Sequence, residues 1–201
     1  MDARALTAAG GRYYTLRGLL LLPTGLIFVA AGLFNTPPIG DEPVSGGAPW
    51  FVAALVVAAI GYVTINRYYV THFGRVEPSR RTMWRIAGYT VLGAVAICAG
   101  ITLDMQLDLS SSLFGAAYGA SLLVYYRMLD VLRPYHVVLL GGFALLALAP
   151  IWGGGQDSVS MVMVPMGVVT MAVGLFDHRD LMSSLEDARS AGADEVTDGR
   201  R

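Results

Sequence analysis

The residues able to do chemistry are few, and they stand at the ends of apolar runs. Three histidines occur, His72, His136 and His178, the last inside Asp177-His178-Arg179-Asp180. Imidazole beside carboxylate suits several divalent metals and also acid–base work. The spacing assigns neither. There is no His-x-x-x-His and no His-Glu-x-x-His, so no metal, no cofactor and no catalytic residue is expected. The single cysteine, Cys98, excludes an internal disulfide and a Cys-x-x-Cys redox pair.

Asp104 and Asp108 are four residues apart. Asp104, with Thr102 and Gln106 beside it, is expected to line a ligand-accepting mouth, while Asp108 or Ser110 caps the next helix. Tyr62, Tyr89 and Tyr118 fall in three successive apolar runs. They are expected to share a polar cavity whose phenols suit an amphipathic organic ligand; interhelical hydrogen bonding is their other use. Phosphate-cradling and nucleophile-elbow motifs are missing, and there is no Asp-rich pair of the kind that binds diphosphates.

The elements that must position these groups are apolar. Hydrophobic residues make up 55% of the 201 positions and charged residues 14%, against about 25% charged in soluble domains. That balance points to a lipid solvent, and the net charge of -1 argues against a nucleic-acid partner. Six runs, about 16–34, 49–66, 86–105, 109–126, 135–152 and 158–176, approach the length of about 20 residues that a helix needs to cross a bilayer. None has an acidic or basic residue in its core, which counts against a proton-coupled pump. The predicted fold is all-α, a polytopic bundle over 1–185 followed by a disordered cytoplasmic tail over 186–201.

Arginine sets the orientation. All 14 basic residues are Arg, and in a six-span zigzag every one falls on one side: Arg4, Arg12 and Arg17; Arg67, Arg75, Arg80, Arg81 and Arg85; Arg127 and Arg133; Arg179, Arg189, Arg200 and Arg201. The other side carries Asp41, Glu42, Asp104, Asp108 and Asp157. Basic residues stay in the cytoplasm, so both termini are expected there. The Lys-free composition reads as GC-rich codon usage, and the expected location is a bacterial plasma membrane.

Three Arg/Tyr groups mark that inner border: Arg12-Tyr13-Tyr14, Arg67-Tyr68-Tyr69 and the inverted Tyr125-Tyr126-Arg127. Tyrosine and arginine both favour the headgroup zone. Trp50 and Trp152 are placed at the outer border and Trp84 at the inner one. Gly115 and Gly119 form a Gly-x-x-x-Gly, and Ala96 and Gly100 repeat the spacing. Such pairs let helices approach closely, either within the bundle or in a homo-oligomer.

The plan of six helices with cytoplasmic termini is similar to that of the substrate-binding components of energy-coupling-factor vitamin transporters. It is also similar to small permease subunits of ATP-driven exporters. No motif of either is matched, so no site residue follows. The function expected is a non-enzymatic membrane module, transport-associated or ligand-binding, touching a cytoplasmic protein partner through Arg75, Arg80 and Arg81. The alternatives are a membrane enzyme with His72, His136, His178 and Asp177 around a lipid headgroup, and a sensor or scaffold working through its tail.

Overall fold

The computed structural model describes residues 17–35, 47–73 and 80–198, and among them all regular structure is helical. Arg75, Asp41 and Glu42 lie outside the described residues. A 3-10 turn, Gly18–Leu20, leads into α1 (Leu21–Asn35). Then come α2 (Gly47–Phe73), α3 (Arg80–Leu107) and α4 (Leu113–Met128). The next helix, α5, is built from Pro134–His136, a π-helical stretch Val137–Gly141 and Gly142–Ala147. Last is α6 (Gly155–Asp198).

Each apolar run is met by a helix. Among the described residues three helices are long and apolar enough to cross a membrane, Trp50–His72, Arg80–Leu107 and Asp157–Ser184. The first and fifth are shorter apolar helices, and α4 has 16 residues, about 24 Å at 1.5 Å per residue. Where composition predicts a disordered tail, α6 continues as helix to Asp198. Ala, Glu and Arg in that segment are strong helix formers, which offsets its lack of apolar residues.

The tightest packing joins α1 to α6. Gly18, Gly25 and Gly32 are seven apart and face Gly174, Gly167 and Ser160, also seven apart and in reverse order. A Cβ built on Gly25 would lie 2.6 Å from the Gly167 carbonyl oxygen, and one on Gly167 would lie 2.4 Å from that of Gly25. A period of seven keeps one stripe facing the partner over two turns, and small residues in it let backbones touch. The two helices are therefore antiparallel, with Gly18 and Gly174 at one end of the bundle.

Gly115 and Gly119 belong to the interior. A Cβ on Gly115 would meet Val162 and Ala147, and one on Gly119 would meet the Leu140 carbonyl at 2.8 Å. These glycines seat α4 against α5 and α6, and are not available for a homo-oligomer contact. The close approach of α3 to α4 is made by Gly100 instead, against the Leu113–Phe114 backbone. Around this seam Phe114, Tyr118, Phe143, Ala147, Val162 and Met166 form the main core. Trp152 joins it at 9% exposure, its indole N–H donating to the Leu146 carbonyl, so it is a core residue and not part of an interfacial belt. Trp50 and Trp84 are exposed, as a belt requires.

The second helix packs chiefly on α1 and leaves Val52, Val56, Val57, Ile60 and Val63 exposed; α3 does the same with Val91, Leu92 and Val95. Apolar surface this continuous is rare on water-facing proteins and is ordinary against lipid.

Candidate functional site

Among the described residues two carboxylates are buried, Asp104 and Asp177; they stand at opposite ends of the bundle and do different work. Asp104, in the last turn of α3, is fully buried. It accepts hydrogen bonds from Ser112 Oγ (3.0 Å) and from the backbone N–H groups of Leu113 (2.7 Å) and Phe114 (3.0 Å). Ser112 in turn caps α4 by accepting from the Gly115 N–H at 3.1 Å. Asp104 thus satisfies the orphan donors at the start of α4. It does not line a mouth, and the cap of α4 is Ser112, not Asp108 or Ser110.

Asp177 is the hub of the arginine-rich end. It lies one residue beyond the apolar run 158–176, yet inside continuous helix, where the Gly18–Gly174 contact draws α1 over it. Its Oδ1 accepts from the Tyr135 hydroxyl (2.7 Å) and from His136 Nε2 (2.8 Å), and its Oδ2 accepts from the Tyr126 hydroxyl (2.7 Å). The Arg133 backbone N–H donates to His136 Nδ1 at 2.9 Å. That bond fixes the tautomer: Nδ1 holds the lone pair and Nε2–H points at Asp177. The start of α5 sets this up: Pro134 begins the helix, and His136 at its third position reaches back to the orphan Arg133 N–H, as in a capping box. The Tyr126 ring stacks on His136 with centroids 3.8 Å apart. Beside the hub, Arg133 Nε reaches Asp180 Oδ2 at 3.0 Å.

The next residue of α6 makes the matching contact on the other flank. His178 Nδ1 lies 3.1 Å from the hydroxyl of Tyr69, which is fully buried and also accepts from the Leu19 N–H at 3.3 Å. His72 is exposed, its ring 4.4 Å from that of Tyr68. The histidines are thus near one end but separately engaged, and no group of three or more metal-binding side chains occurs among the described residues.

A partly open cavity of about 390 Å³ adjoins the hub, between the start of α1, the first half of α3, the second half of α4, and Asp177. Tyr89, Tyr118, Tyr125 and Tyr126 line it together with Arg17, Thr90 and Ser121; Leu20, Leu21, Ile97 and Leu122 supply the apolar wall. A second depression, of about 250 Å³, runs on between α3 and α4 and shares Tyr89, Gly93, Ser121 and Tyr125 with the first. Tyr118 has its hydroxyl 2.6 Å from Thr170 Oγ1, which donates its own hydrogen to the Met166 carbonyl. The Tyr118 proton therefore points at Thr170.

Of the three tyrosines expected to share a cavity, Tyr89 and Tyr118 do, and Tyr62 does not: it is 52% exposed on the outside of α2. Arg80 and Arg81 are exposed at the start of α3. Sequence reasoning missed Tyr125, Tyr126 and Asp177 as cavity residues. The available signal was the Arg/Tyr theme: the second tyrosine of two of its copies, Tyr69 and Tyr126, is buried against consecutive residues, His178 and Asp177.

The fold and site thus define an all-helical protein with helices fit to cross a membrane and a tyrosine-lined cavity at one end. No family model matches the chain, and neither a curated protein nor a solved structure matches it.

Proposed function

We propose that the chain is a six-span integral membrane module, of a bacterial plasma membrane, that holds an amphipathic organic molecule and has no catalytic chemistry of its own. The observation that carries this reading is the cavity: hydroxyls and a carboxylate at the floor, an apolar wall, and an apolar extension between α3 and α4. Polar groups in a largely apolar pocket orient a ligand while burial of its body supplies most of the affinity. The short helices run the same course as the long ones. The fourth passes from the Asp104 level to the Asp177 level, and α5 returns from His136 to Ala147, whose carbonyl accepts from the Ser112 N–H. Transport of the bound molecule would need a partner, and Arg80 and Arg81 offer a basic contact at the cytoplasmic surface.

The enzyme reading has less support. His136 is fully buried, one ring nitrogen accepting and the other donating, which leaves no site for a substrate proton. Gly93 supplies the test of the module reading, because a Cβ there meets only Ser121, at 3.5 Å, and a longer chain extends into the cavity. Wild-type protein purified from membranes should retain an amphipathic molecule, seen by mass spectrometry of the extract, and Gly93→Leu should lose it while remaining folded. Equal content in the two proteins would refute the reading.

A further inference from the structure

Resting on that reading, we infer that the bound molecule carries an organic ammonium group, received by Asp177 and the tyrosine rings around it.

The cavity floor is anionic. Asp177 accepts from three neutral donors: two phenols and the His136 ring whose Nδ1 lone pair is taken by the Arg133 N–H. None of these cancels the carboxylate charge. Arg133, the nearest cation joined to this cluster, is engaged by Asp180 at 3.0 Å. Oδ1 is saturated by two donors, whereas Oδ2 has only the Tyr126 hydroxyl and keeps a lone pair. Asp177 is itself a lining residue of the cavity, its side chain 1% exposed, so a cation entering the cavity is held by the field of a buried negative charge.

The walls are of the kind that receive a cation. Four tyrosines line the cavity, and the faces of aromatic rings attract ammonium, most strongly when it is desolvated. Arg17 does not oppose this. Its Nη1 is directed at Asn66 Oδ1 on α2 (3.5 Å) and its guanidinium carbon stands 5.6 Å over the Tyr69 ring, on the other flank of α1. The ammonium could belong to a zwitterionic lipid headgroup or to a free single-chain amine, and the test separates them.

Full-length protein is placed in nanodiscs of phosphatidylethanolamine and phosphatidylglycerol in equal amounts, and the lipids retained on release are counted by native mass spectrometry. In a second arm, submicellar tetradecyltrimethylammonium and tetradecanoate are titrated onto detergent-solubilised protein. A lipid source predicts about tenfold preference for phosphatidylethanolamine; a free-amine source predicts equal lipids and about tenfold tighter binding of the ammonium chain than of the carboxylate. In either case Asp177→Asn loses the preference. Ser121→Lys, which removes none of the donors to Asp177 and puts a cation on the cavity lining, reverses it. Absence of a cation preference in both arms, or a preference that survives Asp177→Asn or Ser121→Lys in folded protein, overturns the inference. If wild type shows no cation preference yet retains more than Gly93→Leu, the cavity reading stands and the ammonium falls alone. If wild type retains nothing beyond Gly93→Leu, both fall.

Discussion

Asp177→Ala is expected to lower the unfolding midpoint of the purified protein further than any other single change at the arginine-rich end, with a loss of about 3–5 kcal/mol. The magnitude follows from what is left behind. Removing the carboxylate strands the Tyr126 hydroxyl, the Tyr135 hydroxyl and the His136 Nε2–H, all of which have Asp177 as their acceptor. A buried donor without a partner costs about 1–3 kcal/mol. Asp177 also ties three helices, α4 through Tyr126, α5 through Tyr135 and His136, and α6 through its own backbone. Asp177→Asn keeps one acceptor but turns an N–H₂ toward donors, so its loss should be smaller. The matched control is Asp180→Ala: the Arg133–Asp180 pair is part-exposed, and a pair of that kind contributes about 0–1 kcal/mol. Melting of the variants side by side in one detergent decides it. A loss at Asp177→Ala no larger than at Asp180→Ala would mean that the hub does not hold this end together.

The second large effect is at the α1–α6 seam. Gly167→Ala should destabilise by about 2–3 kcal/mol, although a methyl group in a helix is normally favourable. The added carbon would sit 2.4 Å from a backbone oxygen of Gly25, which cannot move without moving α1. Gly88→Ala and Gly142→Ala have nothing within 4 Å of the new carbon and should be neutral or stabilising by about 0.5–1 kcal/mol. The contrast between glycines of one protein removes composition as an explanation. If Gly167→Ala melts with Gly88→Ala, the helices are not in backbone contact.

The helices themselves were legible because an apolar run of this length has one solution in lipid; their ends were less so, since α2 runs past Arg67 to Phe73 and α6 past Arg179 to Asp198. Faces were not legible. The first three helices are apolar nearly all round, so no periodicity tells which side meets protein; in sequence Tyr62 is equivalent to Tyr89 and Tyr118, yet it points the other way. The glycine seam is inconspicuous in sequence because its spacing is seven, whereas the Gly115–Gly119 pair at four stands out and seats α4 against α5 and α6. Asp104 and Asp177 look alike in sequence, each a carboxylate at the edge of an apolar run. Only the partners distinguish a helix cap from a hub: three backbone or hydroxyl donors of the following turn at Asp104, and side chains more than forty residues distant at Asp177.

Everything proposed about the cavity depends on the six helices crossing the membrane with the arginine-rich end in the cytoplasm. Single cysteines introduced into a Cys98→Ala background at Arg80, Gln106, Arg127, Ile151 and Arg179, all exposed positions, test this by labelling intact cells with a membrane-impermeant maleimide. Arg127 is the deciding site. If only the long helices α2, α3 and α6 crossed, position 127 would share a side with 106 and 151. Cysteines at 106 and 151 should label from outside, and those at 80, 127 and 179 only after the cells are opened. Labelling of position 127 together with 106 in intact cells would contradict it.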